Sequence, residues 1–155
     1  MPLEVGQPAP DFMLKNQYGE DVSLSDFRGK KHLVLVFYPF AFSPVCTDQL
    51  QVYDEVRGDL AEHGATFYGV SCDHTYSQSA FRERLGVEIE QLSDWEPKGE
   101  TSRAFGAYFA PRGCSARALV IVGPDGVVLW SYLAESLGEL PGANLIFDAL
   151  AAPAA

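Results

Sequence analysis

The sequence has little positive charge, few cysteines and no long apolar run, and each shortage removes a class of function. Eleven Lys and Arg stand against twenty-one Asp and Glu, a formal charge of −10. That balance excludes a surface built to neutralise a phosphate backbone, because such affinity is largely cationic, and no nucleic-acid partner is expected. No apolar stretch approaches the roughly 20 residues that a membrane-spanning helix needs, so no membrane is expected either. The start, MPLEVGQPAPDF, lacks the basic and apolar regions of a secretory signal, which makes a cytoplasmic location the expectation. Three cysteines cannot all pair within one chain, and a reducing cytoplasm keeps thiols free, so a disulfide framework is excluded. His32, His63 and His74 are scattered and Cys72-x-His74 is the one close pair of ligand types, so no metal is expected. A dithiol C-x-x-C is missing too, since Thr47, Asp48 and Gln49 follow Cys46, which argues against a disulfide reductase.

What is present reads as one domain over residues 1–155, with no repeat or linker apart from the Ala/Pro-rich end AAPAA, expected to fray. Residues 11–14 and 22–24 flank the turn-prone NQYG and predict a small hairpin, and the apolar run 33–38 predicts a buried central strand ended by Pro39. Apolar positions at helical spacing predict one long helix from Pro44 to about His63, closed by Gly64. A second buried strand over 65–71 and a helix over 77–85 stopped by Gly86 follow, then a short helix in GETSRAFG. A strand pair, 118–122 and 127–132, surrounds the turn GPDG, and a last helix covers about 143–150. Alternating strands and helices followed by a hairpin predict an α/β sandwich with a mixed sheet.

The chemistry concentrates in VLVFYPFAFSPVCTDQL, residues 34–50. Ser43 suits a helix N-cap and Pro44 the first helical position, which puts Cys46 in the first turn. There the N–H groups of Val45 and Cys46 lack helical partners and the helix dipole is positive, so a thiolate or a developing oxyanion is stabilised. A cysteine alone at such a place is more often a small buried hydrophobe. Its neighbours reverse that balance.

Pro39, Ser43 and Cys46 match the P-x-x-x-[TS]-x-x-C motif of the peroxiredoxins, and VGQPAPDF, LSDFRGK, FYPFAFSPVC, YGVSCD, LSDWEPKG and GCSARALVIVGPDG also resemble that superfamily. The chain most resembles its short alkyl hydroperoxide reductase E-type group. The resemblance implies a thioredoxin-like fold, reduction of hydrogen peroxide and organic hydroperoxides, Cys46 as the attacking thiol, Arg117 as its partner, and no metal or organic cofactor. It further implies a Cys46 sulfenic acid returned to thiol from outside, by a low-molecular-weight thiol with a glutaredoxin-like protein or by thioredoxin. The family commonly dimerises through loops around the active site, so a homodimer is expected, built in part from Phe40, Phe42, Trp95, Tyr108 and Phe109.

Each residue type suits the reaction. Arg117 supplies a permanent cation and a fixed fork of donors. The Ser43 hydroxyl has two uses, to accept from peroxide while donating to sulfur, or to cap the helix; Pro39 either shelters sulfur from water or simply ends a strand. Lowering a thiol's pKa from about 8.5 to about 6 raises its thiolate fraction at neutral pH only about thirtyfold, so positioning in the transition state must supply the rest. Gln49 stands where related sequences often carry Glu; its amide oxygen can still accept from Arg117, so it is either a supporting residue or a plain surface position. Cys72, after a strand, and Cys114, in a loop near Arg117, are the candidate resolving thiols, with Cys114 the stronger and inert packing the bland reading of Cys72. Internal resolution by one of them, or a redox-sensing module of the same fold, are the alternatives to an externally reduced peroxidase.

Overall fold

The structure, a computed structural model, describes residues 3–151. In chain order the strands and helices are β1 (Met13–Asn16), β2 (Asp21–Ser23), β3 (His32–Phe37), α1 (Pro44–Glu55), α2 (Arg57–Glu62), β4 (Ala65–Ser71), α3 (Thr75–Leu85) and β5 (Glu90–Ser93). They continue with α4 (Glu100–Ala104), β6 (Tyr108–Phe109), β7 (Cys114–Ser115), β8 (Ala118–Val122), β9 (Val128–Leu133) and α5 (Ala143–Ala151). Seven strands form one mixed sheet in the order β2-β1-β5-β4-β3-β8-β9, and β6 and β7 pair separately. β3, β4 and β5 run parallel, while β8 and β9 join antiparallel on one side and β1 and β2 on the other. Of the AAPAA end expected to fray, residues 151–155, Ala151 is the last residue of α5 and residues 152–155 lie outside the described residues.

β3 shows why the sheet is a sandwich. Its apolar run has no polar face, so both faces must be covered. Strand alternation sends Val34, Val36 and Tyr38 into one core with Leu50, Tyr53, Phe81 and Ile146, and Leu33, Leu35 and Phe37 into the other with Phe12, Leu92 and Phe105. Truncating one of these residues, Leu35→Ala for instance, costs about 2–5 kcal/mol through lost burial and the cavity left behind.

The long helix expected over 44–63 is instead two, α1 and α2, parted at Val56 (φ −100°, ψ 6°). A β-branched residue followed two places on by Gly58 is a weak helical stretch, and both Val56 and Leu60 contribute to the core across the break. Gly86 ends α3 in the left-handed conformation, φ 67°, donating its N–H to Arg82 and Glu83 carbonyls, as its place in the sequence suggested. α3 starts two residues earlier than expected, because the His74 side chain accepts the Tyr76 N–H at 3.2 Å and caps it.

β5 was not expected, since its sequence, EQLS, is polar. Its buried polar groups are paired: Gln91 accepts from the Tyr38 hydroxyl at 2.6 Å and donates to the Ile89 carbonyl at 3.1 Å, and Ser93 donates to the Asp73 carbonyl at 2.6 Å. Cys114, expected in a loop, lies in β7, paired opposite Phe109.

Candidate active site

The carboxyl end of β3 runs through buried Pro39 into a tight turn before α1. Phe42 takes φ 70° in this turn, a left-handed conformation that costs a non-glycine residue about 1–2 kcal/mol. Surrounding contacts hold it there. The Ala41 N–H donates to Asp73 Oδ2 at 2.8 Å, and the same oxygen accepts the Ser71 hydroxyl at 2.7 Å, tying the turn to the end of β4. The Phe42 ring packs on Phe81 with centroids 5.1 Å apart.

Ser43 is the backbone N-cap of α1, with ψ 150° and its carbonyl accepting the Thr47 N–H at 2.9 Å. The expectation that its hydroxyl caps the helix or donates to sulfur is not met. It donates to the Phe40 carbonyl at 2.9 Å instead, within the turn. Its lone pairs remain as acceptors. Pro44 stands at the first helical position as expected, and the N–H groups of Val45 and Cys46 precede the first helical bond.

Arg117, between β7 and β8, is 2% exposed and spreads its donors over three partners. Nη2 donates to Cys46 Sγ at 3.2 Å, Nη1 to Gln49 Oε1 at 2.6 Å, and Nε to the Leu137 carbonyl at 2.8 Å. Among the described residues the ion pairs are Lys15–Asp21, Arg57–Asp54 and Arg57–Glu88, and none includes Arg117. A buried cation without a carboxylate favours the ionised form of whatever acid lies beside it. Gln49 is fully buried, so it is no surface residue, and its Nε2 donates to the Tyr53 hydroxyl at 3.3 Å while that hydroxyl donates to the Pro141 carbonyl at 2.6 Å.

An open cavity of about 340 Å³ lies against this assembly, lined in part by Pro39, Ser43, Val45, Arg112, Arg117 and Leu137. Cys46 itself has no exposed surface.

The structure does not bring the other two thiols into this cluster by any hydrogen bond. All three cysteines are free. Cys72 Sγ lies 3.6 Å from the Ser115 hydroxyl, which lies 2.7 Å from that of Ser102. Burial pushes the Cys72 thiol up, against a smaller opposing effect of Ser115. Burial, with the neighbouring Cys72, pushes the Cys114 thiol up as well. Of the aromatics expected near the site, Phe42 and Trp95 are half exposed, at 54% and 52%. Phe40 lies under the Arg112 guanidinium, 5.6 Å from its ring centre, and Tyr108 under that of Arg103 at 3.7 Å; Phe109 is half-buried.

Asp73, Tyr53 and the Leu137 carbonyl were missed from sequence. Tyr53 had a signal, since Cys46, Gln49 and Tyr53 fall on one face of α1 at helical spacing. Asp73 had a weaker one, as a carboxylate just past the end of a buried strand. The Leu137 carbonyl had none.

Solved structures share this fold. AhpC of Enterococcus faecalis matches with a TM-score of 0.87 at 29% identity, covering 97% of this chain and 91% of that one. The peroxidoxin BcpB of Mycobacterium tuberculosis matches with a TM-score of 0.82 at 28% identity, covering 96% and 95%. The fold is thioredoxin-like and the protein is a peroxiredoxin, an oxidoreductase of the thiol-dependent peroxidase class. Residues 5–131 match the AhpC/TSA family, and the chain belongs to that family. Among curated relatives, alkyl hydroperoxide reductase E of Mycobacterium tuberculosis is 31% identical over 153 residues, with 97% of each chain covered.

Proposed function

We propose that Cys46 is the peroxide-attacking thiol of a one-cysteine peroxidase acting on hydrogen peroxide and organic hydroperoxides. The observation that carries this is the Arg117–Cys46 contact at 3.2 Å, made by a buried guanidinium with no carboxylate among its partners. The thiolate sulfur forms a bond to the terminal hydroxyl oxygen of the peroxide, the O–O bond breaks, and the leaving oxygen takes a proton from solvent and departs as water or alcohol. Cys46 is left as sulfenic acid, oxidised by two electrons.

Arg117 and the N–H groups of Val45 and Cys46 face the charge that grows on the peroxide oxygens. The Ser43 hydroxyl, its proton held by Phe40, is oriented to accept from the peroxide O–H. Pro39 keeps water from sulfur, and Gln49 holds the arginine. A thiol then attacks the sulfenic sulfur, displacing water, and a second thiol releases Cys46 as the disulfide of the first two departs. An external reductant is supported by the burial of Cys72 and Cys114, which raises both thiols above their ordinary range and so lowers the thiolate available for resolution. By resemblance that reductant is a low-molecular-weight thiol with a glutaredoxin-like protein, or thioredoxin.

The enzyme is proposed to work in the cytoplasm as one domain, in a homodimer that covers the exposed Phe42, in the turn before Cys46, and the exposed Trp95. Peroxide consumption by substoichiometric protein with an added thiol tests the reading. Turnover is expected from the native chain and less than a tenth of it from Cys46→Ala; a Cys46→Ala variant that keeps more than that sinks the assignment.

A further inference from the structure

Tyr53 stands in α1 one helical turn beyond Gln49, fully buried, its ring stacked on Phe67 with centroids 5.5 Å apart and planes 8° from parallel. Its hydroxyl is used twice, donating to the Pro141 carbonyl at 2.6 Å and accepting from Gln49 Nε2 at 3.3 Å. A phenol has one proton. With that proton on Pro141, the side of the oxygen facing Gln49 can only accept.

The constraint passes along the chain of contacts. A carboxamide has one donating and one accepting end, so placing Nε2 on Tyr53 leaves Oε1 for Arg117, where Nη1 donates at 2.6 Å. The reversed amide sets Nε2 against Nη1, donor against donor, and leaves Oε1 facing a lone pair. Each clash leaves a buried polar group unpaired, which is unfavourable. We infer that Tyr53 is a positioning residue for peroxide reduction: its hydroxyl, proton held by the Pro141 carbonyl, fixes which end of the Gln49 amide meets Arg117 and so aims the remaining guanidinium donors at Cys46 and the peroxide. Burial pushes the Tyr53 phenol up to about 12, against opposing effects of Gln49 and Arg117, so the hydroxyl keeps its proton at neutral pH.

The need for Tyr53 follows from glutamine at position 49. A glutamate there has two equivalent oxygens, so either one meets Arg117 whichever way the Tyr53 hydroxyl turns its proton, and the hydroxyl no longer decides the orientation. The inference rests on Cys46 and Arg117 as the reacting pair, and one experiment separates the two. Second-order rate constants for sulfenic acid formation from hydrogen peroxide are measured by stopped-flow fluorescence for the native chain, Tyr53→Phe, Gln49→Glu and the double variant. Tyr53→Phe keeps the ring and its stacking, and near-ultraviolet circular dichroism checks that the fold is kept.

Tyr53→Phe is expected to lower the rate about fivefold or more beside Gln49, as loss of a buried hydrogen-bond partner predicts, and less than twofold beside Gln49→Glu. Equal losses in both backgrounds identify a general packing effect and overturn the inference, as does no loss in either. Amide NMR on the native chain needs no variant: nuclear Overhauser contacts from the Gln49 Nε2 protons to the Tyr53 ring are expected, and contacts to the Arg117 Nη protons instead overturn it. Failure of the underlying reading appears elsewhere, as peroxide turnover retained by Cys46→Ala.

Discussion

Arg117 reaches Cys46 Sγ at 3.2 Å from seventy-one positions further along the chain, and both residues are closed off from solvent. The same guanidinium also holds Gln49 and the Leu137 carbonyl, so its orientation is fixed before substrate arrives. Arg117→Lys keeps the charge and loses the fork, and an ammonium cannot span three partners set out for a planar group. The rate of peroxide reduction is expected to fall at least tenfold, since one oriented transition-state donor is worth about 3 kcal/mol. An unchanged stopped-flow rate shows that Arg117 is a structural cation only.

The two remaining thiols give a second expectation. One equivalent of peroxide should leave Cys46 as a sulfenic acid that dimedone traps, seen by intact mass, and excess peroxide should carry it to sulfinic acid. Turnover with added thiol should persist in the Cys72→Ala/Cys114→Ala double variant. A stoichiometric Cys46–Cys114 or Cys46–Cys72 disulfide on peptide mapping, with loss of turnover in the double variant, replaces external reduction by internal resolution.

Asp73 holds the turn in front of Cys46 through the Ala41 N–H. Asp73→Ala leaves that N–H without its acceptor and removes a restraint on Phe42 in its left-handed conformation. Loss of a hydrogen bond to a charged group costs about 1.5–3 kcal/mol, so amide exchange across residues 40–43 is expected to quicken about tenfold or more, with a several-fold drop in peroxide reduction. Exchange rates unchanged over this turn show that Asp73 does not restrain it.

Alkaline pH should weaken the fold. Burial raises Tyr53 from 10.0 to about 12 and raises Tyr38, Cys72 and Cys114 above their ordinary values. Above the ordinary pKa the native chain then holds more protons than the unfolded one, so stability falls as pH rises. The contribution is complete below about pH 9 and is lost from there upward, the Tyr53 part between about 10 and 12. Urea midpoints should therefore decline above about pH 9.5, less steeply in Tyr53→Phe between about 10 and 12. A midpoint constant to about pH 11 contradicts this account.

Elements with an internal signal were legible in the sequence: β3 from its unbroken apolar run, α3 from periodicity closed by Gly86, and the β8–β9 pair from the GPDG turn. β5 was hidden because its pattern is polar, and only the partners supplied by Tyr38, Ile89 and Asp73 make a buried Gln91 and Ser93 tolerable. In the site, the positions of Cys46 and Pro44 at the helix start followed from local rules. The direction of the Ser43 hydroxyl and the burial of Gln49 did not, because both depend on groups that the fold brings in: a turn carbonyl, and an arginine from the segment leading into β8. Backbone carbonyls such as those of Leu137 and Pro141 carry no residue identity, so sequence cannot announce them.

The absence of any exposed surface on the Cys46 sulfur acts as a sieve on size. Hydrogen peroxide, little larger than water, needs Pro39, Ser43 and Arg117 to part only slightly, whereas a thiol attacking the oxidised sulfur brings at least a cysteine-sized body along the same line. Oxidation is then first order in peroxide and second order overall, and reduction waits on a fluctuation of the Phe40–Ser43 turn. At high thiol the cycle reaches a ceiling set by how often that turn opens, and the ceiling is the same whichever thiol is supplied.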